Sequence, residues 1–207
     1  MIFRSATKNI LGLLILSAGI FPPATQANTY PETTEDFAKL PPYCTDRHKG
    51  KDYASPYKEK FGGACWLHLH HYCLGLHQVN YAMAETNEKA RENHIMVALK
   101  EGFDYMWTSA GAQCVLMPEI MVNRGKAVVL IKQYGSALES FRKAIDLNPR
   151  YIPAYLELAS LYTKSGQTDA ASTVLEYALN VDPNSKATQR QLERLNGKAA
   201  GKSASKK

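Results

Sequence analysis

Apolar residues recur at intervals of three and four along two successive stretches in the middle of the 207-residue chain. The first stretch covers residues 64–85, and the second follows Asn87, a residue type that often caps a helix N-terminus. Gly111 stands where the second pattern stops. This spacing is typical of amphipathic helices, so it predicts an antiparallel helical hairpin over residues 63–114.

The segment before the hairpin, residues 28–62, is polar and is interrupted by prolines and glycines. Such residues disfavour long helices, because proline lacks an amide donor and clashes with the preceding turn. We therefore expect an extended arm here rather than a packed element.

After the hairpin the chain resembles itself at an offset of 34 residues. The run KAIDLNP at 143–149 is echoed by YALNVDP at 177–183, and each run ends in a proline that a helix does not readily continue through. Small and bulky residues recur at the same offset in the matched pairs Ala137 and Ala171, Phe141 and Leu175, and Ala144 and Ala178. A fixed period of this length predicts two stacked helix–turn–helix units, at 118–151 and 152–185.

These units resemble the tetratricopeptide repeat family, whose signature is an aromatic residue, a leucine–glycine pair, a tyrosine, an alanine, a phenylalanine, an alanine and a proline. In the second unit those places hold Tyr155, Leu158, Ala159, Tyr162, Ala171, Leu175, Ala178 and Pro183. In the first they hold Gly125, Ala137, Phe141, Ala144 and Pro149, with departures at Met121, Arg124 and Val128. The resemblance implies an all-α fold, a short right-handed helical-hairpin solenoid to which the N-terminal hairpin adds a layer. A capping helix is expected at 186–197.

The two ends of the chain carry its excess positive charge. Residues 1–27 combine Arg4 and Lys8 with an apolar run that is short for a membrane span, a pattern typical of a cleavable secretory signal. Residues 198–207 hold four lysines and no acid, and we expect a disordered tail there. Residues 28–197 carry 19 basic and 19 acidic residues, so the net charge of +6 does not indicate a nucleic-acid-binding face. We expect a soluble protein that is periplasmic or secreted.

Four cysteines precede the repeats, and in an exported chain an even number of cysteines predicts disulfides. Cys65 and Cys73 lie eight residues apart on one predicted helix, which separates them by about 12 Å, too far for a disulfide. Two pairings remain. We prefer Cys65 with Cys114 and Cys44 with Cys73, because the hairpin returns Cys114 to the start of its first helix. The exchanged pairing is the alternative.

The same predicted helix carries a run of histidines. His70, Cys73 and His77 share one side of it at spacings of three and four, and imidazole with thiolate suits zinc or copper. Against a metal site, a cysteine in a disulfide donates no thiolate, and histidines beside an apolar stripe often bond to nearby carbonyls. A metal-binding protein that uses residues 65–77 is the alternative function, whereas the leading interpretation needs no cofactor.

Motifs of catalysis are not found: the chain has no CxxCH, CxxC, phosphate-binding glycine loop or GxSxG, and we expect no enzyme activity. In the tetratricopeptide family the first helix of each repeat lines a groove for a peptide or helix. The resemblance therefore implies a groove lined by Glu119, Val122, Lys126, Val129, Leu130, Pro153, Leu156, Ser160, Thr163 and Lys164. We expect a scaffold or adaptor that holds a protein partner for an envelope assembly. In the structural alternative, the same side chains pack against the arm.

Overall fold

The computed structural model describes residues 30–204, and the regular structure in that range is entirely helical, which confirms the all-α prediction. Its α-helices are α1 Thr34–Ala38, α2 Pro42–His48, α3 Pro56–Phe61, α4 Gly63–Ala84, α5 Glu88–Val97, α6 Asp104–Ser109, α7 Met117–Leu130, α8 Tyr134–Leu147, α9 Ile152–Lys164, α10 Thr168–Val181 and α11 Lys186–Ala204. A π-helical segment, Ala98–Phe103, joins α5 directly to α6. The predicted signal at 1–27 lies outside the described residues. None of the described helices is both long and apolar enough to cross a membrane.

The segment before the hairpin folds into α1, α2 and α3, so the prediction of an extended arm is wrong. Its prolines start helices rather than prevent them. Pro42 and Pro56 lie in the first turns of α2 and α3, where a missing amide donor leaves no hydrogen bond unmade. Ser55 caps α3 by accepting a hydrogen bond from a backbone amide. Tyr43 and Phe61 of the arm are buried in the same core as the hairpin, and this burial stabilises the short helices.

The hairpin consists of α4 and of the continuous helix formed by α5, the π-helical segment and α6. Asn87 caps α5 by accepting a hydrogen bond from the Ala90 amide. The two helices approach closely at Gly75 and Gly102, because a Cβ placed on Gly102 would lie 2.6 Å from the Gly75 Cα. Two backbones come this close only where both side chains are absent. The Phe103 ring then fills the space beside Gly75.

Two disulfides tie the arm and the loop after α6 to the first hairpin helix. Cys44 of α2 is bonded to Cys73 of α4, with 5.6 Å between their α-carbons. Cys65, at the start of α4, is bonded to Cys114, with 4.8 Å between theirs. This is the pairing preferred above from helix geometry, and all four cysteines are buried.

The two repeat units fold as helix pairs, α7 with α8 and α9 with α10. In the first pair Gly125 lies against the Phe141 ring, and a Cβ at Gly125 would overlap that ring. In the second pair Ala159 and Leu175 occupy the corresponding places in a smaller core. The small residue on the first helix thus lets the bulky residue on the second pack closely, as the repeat pattern predicts.

The last helix, α11, covers the second pair and contributes Leu195 to its core. Its backbone continues past Gly197, where the pattern predicts its end, to Ala204. A glycine inside a helix costs only about 1 kcal/mol relative to alanine, which does not by itself stop a helix. The helix therefore includes part of the stretch 198–207 for which a disordered tail is predicted, and 205–207 lie outside the described residues.

Candidate groove for a partner segment

A groove runs along the first helix of each successive layer, α4, α7, α9 and α11. Its hairpin-side cleft, of about 200 Å³, lies between α4, α7 and α9, with walls that include Val79, Met83, Lys126, Val129, Leu130 and Leu161. Its cap-side cleft, of about 700 Å³, lies between α9 and α11, with walls that include Leu156, Thr163, Arg190, Gln191, Arg194 and Leu195. Glu157, Ser160 and Lys164 line both clefts, so the two clefts adjoin along α9.

Helical periodicity determines which side chains reach the groove. Residues three and four apart share one face of a helix, so Lys126 and Leu130 line it along α7. Leu156, Ser160 and Lys164 do the same along α9, each four residues from the next. The small residues Gly125 and Ala159, which pack with Phe141 of α8 and Leu175 of α10, lie on adjoining faces of the same two helices. One face of each helix therefore builds the core, and another remains for a partner.

Seven of the predicted groove residues line these clefts, namely Lys126, Val129, Leu130, Leu156, Ser160, Thr163 and Lys164. Glu119, Val122 and Pro153 were also predicted to line the groove, but the structure places them in neither cleft. Pro153 is exposed at the first turn of α9. Val122 is only 5% exposed and belongs to the core. For Glu119 the cause is local to this chain: Tyr43 of the arm and Tyr72 of α4 contact the start of α7, an arrangement that a repeat pattern does not contain.

Glu119 instead joins the arm, the hairpin and the first repeat. Its Oε1 accepts hydrogen bonds from Tyr43 Oη at 2.7 Å and from Tyr72 Oη at 2.8 Å. Asn123 Nδ2 donates to Tyr72 Oη at 2.6 Å. Burial raises the pKa of Tyr43 and Tyr72, and the nearby Glu119 carboxylate raises each pKa further, so both phenols remain protonated donors at neutral pH. The cluster holds α2, α4 and α7 together and lines neither cleft.

The groove combines an apolar floor with a basic rim. Leu156 and Leu195 contribute to the floor of the cap-side cleft, and Val129 and Leu130 to that of the hairpin-side cleft. The rim cations are Lys126, Lys164, Arg190 and Arg194, and the acidic side chain among the described walls is Glu157. Within residues 30–197, none of these four cations has a salt-bridge partner.

The family pattern missed the walls that α4 and α11 supply. Arg190 and Arg194 lie four residues apart, so their shared face on a capping helix could have been read from the sequence. Val79 and Met83 of α4 could not be found in this way. They reach the groove because α4 packs beside α7, where Tyr72 donates a hydrogen bond to Glu119, and these are tertiary contacts.

The predicted metal ligands do not come together as a ligand set. Cys73 is bonded to Cys44, so it offers no thiolate. His70 Nδ1 accepts a hydrogen bond from Arg47 at 3.2 Å. His77 is buried, its Nε2 has no hydrogen-bond partner among the described residues, and its ring lies edge-on to Tyr81. Over residues 30–204, no group of three or more histidine, cysteine, aspartate and glutamate side chains is arranged to hold a metal ion.

Acidification is expected to destabilise the protein through the histidines of α4. Burial is the main cause that lowers the pKa of His70 to about 4, and it also lowers the pKa of His71 and His77. The folded chain therefore binds fewer protons than the unfolded chain, whose imidazoles titrate near pH ~6.5. The stability from these groups is fully present above that pH and is lost as the pH falls towards about 4. Thermal unfolding followed by circular dichroism across this range measures the loss.

The matched control is His70→Gln, which keeps a hydrogen-bond acceptor near Arg47 but does not titrate. The unfolding temperature of this variant should fall less steeply with decreasing pH than that of the native chain. Equal slopes for the two proteins would contradict the assignment to His70.

Comparison with known proteins gives a family match over part of the C-terminal half. Residues 132–194 match the model of the tetratricopeptide repeat family. Among solved structures, the first tetratricopeptide domain of Spaghetti (RPAP3) bound to the HSP90 peptide SRMEEVD is 17% identical, with a TM-score of 0.44 over 61% of this chain and 95% of that one. The Sgt2 tetratricopeptide domain from Aspergillus fumigatus is 21% identical, with a TM-score of 0.45 over 72% of this chain and 83% of that one. No curated protein matches the chain in sequence.

Proposed function

We propose that this chain, which contains tetratricopeptide repeats, is a non-catalytic scaffold that holds a segment of a partner protein in the groove along α4, α7, α9 and α11. The observation that carries the proposal is the apolar floor of the groove. Met83 is 69% exposed at the hairpin-side cleft, and Val129, Leu130 and Leu156 are only partly buried.

Exposed apolar surface that is gathered in a concavity suits association, because burying it releases about 25 cal/mol per Å². A partner helix or extended segment laid along the groove would bury these side chains together. Isolated polar side chains at the rim would then orient the segment rather than supply most of the affinity.

The proposed absence of catalysis is supported by the groove's polar groups. Thr163 Oγ1 donates to the Ala159 carbonyl oxygen of its own helix at 2.8 Å, and no histidine lines either cleft within the described residues. These groups suit positioning of a bound segment better than nucleophilic chemistry.

The proposed setting is the periplasm or the extracellular space, in an envelope assembly. Two features support it: the secretory pattern at 1–27, and two buried disulfides, since such bonds persist mainly in oxidising compartments. Detection of the protein in a periplasmic or culture-medium fraction tests this part separately from the groove.

Glutamate substitutions in the groove are expected to weaken partner binding. Met83→Glu and Leu156→Glu should each raise the Kd about tenfold, because each places a carboxylate on the apolar floor. The partner would first be captured from the envelope fraction of the source cells with the immobilised chain and identified by mass spectrometry. Its Kd would then be measured by titration calorimetry against each variant.

The matched control is Val115→Glu, which makes the same kind of change at a residue 60% exposed and outside the groove. It should leave the Kd unchanged, and all three variants should keep the native circular dichroism. If the captured protein binds Met83→Glu and Leu156→Glu as tightly as the native chain, the groove is not where it binds.

A further inference from the structure

We propose that the groove's occupant is an acidic amphipathic helix of a partner protein, seated in the cap-side cleft between α9 and α11. This inference rests on the proposed function and adds the chemistry of the partner. It is carried by the charge of the cleft, by the spacing of that charge and by the way α11 is fixed against α9.

The charge around the groove has one predominant sign, although the folded body of the chain is balanced in charge. Lys164, Arg190 and Arg194 surround the cap-side cleft, and Lys126 extends the positive rim into the hairpin-side cleft. Glu157 is the acidic residue that faces the same space among the described walls. Since the cations have no salt-bridge partner within residues 30–197, they remain available to anions on an occupant.

The spacing of the cations suits a helix. Arg190 and Arg194 are one turn apart on α11, a rise of about 6 Å. Acidic side chains at i and i+4 of a helix lying along α11 would have the same spacing. Leu156, which is partly buried, and Leu195, which is 6% exposed, line the same cleft and offer apolar surface to the apolar face of such a helix. An occupant that matches both features is therefore amphipathic as well as acidic.

The position of α11 relative to α9, and with it the shape of the cleft, is fixed by contacts that do not involve the cations. Gln191 Nε2 donates to the Leu156 carbonyl oxygen at 3.1 Å, which ties α11 to α9. Leu195 packs with Ala159 and Leu175 in the small core beneath α11. The two arginines are thus carried by a helix whose position is already set, so binding orders little besides their side chains.

Three synthetic fluorescein-labelled peptides with one leucine pattern test the inference by fluorescence anisotropy. They carry glutamate, glutamine or lysine at every polar position of an amphipathic helix. At about 0.05 M salt the glutamate peptide should bind the native chain about tenfold more tightly than the glutamine peptide. This preference should largely vanish at about 0.5 M salt, where charges are screened within a few ångströms.

Charge reversal locates the effect. The double variant Arg190→Glu/Arg194→Glu should abolish the preference for the glutamate peptide. The control is Lys51→Glu/Lys89→Glu, which makes the same change in charge at two exposed residues outside the groove. The control should preserve the preference for the glutamate peptide. Circular dichroism verifies that both double variants are folded.

The failures of the two proposals are distinguishable. Equal affinities for the glutamate and glutamine peptides would overturn the acidic chemistry while leaving a groove that binds helices. Tighter binding of the lysine peptide, or binding of none of the three, would also overturn it, and the Met83 and Leu156 variants would still decide the scaffold function. If the native chain sedimented as a dimer and the Arg190→Glu/Arg194→Glu variant as a monomer, the occupant of the cleft would be a second copy of the chain rather than a partner protein.

Discussion

Replacing Cys65 and Cys114 together by alanine is expected to lower the free energy of unfolding by about 4 kcal/mol. The bond closes a sequence separation of 49 residues, and opening it restores that conformational freedom to the unfolded chain. The two cysteines are buried at the junction of α4 with the loop that leads into α7, so the native contacts there would also loosen. Urea unfolding followed by circular dichroism without reductant measures the change.

The second disulfide provides the matched comparison. Replacing Cys44 and Cys73 by alanine opens a separation of 29 residues, so the expected loss is slightly smaller. A reductant should lower the unfolding midpoint of the native chain by more than that of either double variant. If removal of the Cys65–Cys114 bond left the midpoint unchanged, that bond would not hold the hairpin onto the repeats.

Gly102→Ala is expected to destabilise the protein by about 3 kcal/mol, although alanine favours a helix more than glycine does. The added Cβ would lie 2.6 Å from the Gly75 Cα and 3.2 Å from the His71 carbonyl oxygen. Both are backbone atoms, so no side-chain rotation relieves the overlap and α4 must move away from the π-helical segment. Thermal and urea unfolding measure the loss.

Gly135→Ala is the control for this substitution. Gly135 lies in the first turn of α8, and a Cβ there would meet nothing within 4 Å. This variant should be as stable as the native chain or slightly more stable, by less than about 1 kcal/mol. If the Gly102→Ala variant had the same unfolding midpoint as the Gly135→Ala variant, α4 and the π-helical segment would be able to move apart at little cost in stability.

The repeats could be predicted from the sequence because their signals are local. Tyr155, Ala159 and Leu175 recur at set spacings, and each spacing reflects which face of a helix meets its neighbour. One disulfide pairing could also be excluded, because eight residues of one helix separate Cys65 from Cys73 too widely for a bond. Of the two pairings that remained, the structure contains the preferred one, Cys65 with Cys114 and Cys44 with Cys73. The groove was predicted only in part: seven of the predicted residues line it on α7 and α9, whereas Glu157 and Leu161 of α9 and the walls on α4 and α11 were not predicted.

The wrong predictions for the arm and for Glu119 have the same cause: both depend on the packing of the arm against the rest of the fold, which a local pattern does not contain. The prolines of the arm disfavour helices in a local pattern, but Pro42 and Pro56 begin helices in the structure. Burial of Tyr43 and Phe61 in the core stabilises these short helices. Glu119 was assigned to the groove from a repeat pattern that lacks an arm, whereas Tyr43 and Tyr72 engage its carboxylate.

The sequence by itself determined the helical repeats, the small and bulky residues that pair within them, and the exclusion of a Cys65–Cys73 disulfide, because each depends on spacing along a helix. The tertiary structure decided between the two pairings that remained. Only the tertiary structure decided which faces remain open. Hydrogen bonds from Tyr43 and Tyr72 hold Glu119 away from the groove, Val122 is buried in the core, and the packing of α4 beside α7 brings Met83 to the groove. The residues that line the groove are those that packing leaves exposed, so they depend on contacts between segments that are distant in the chain.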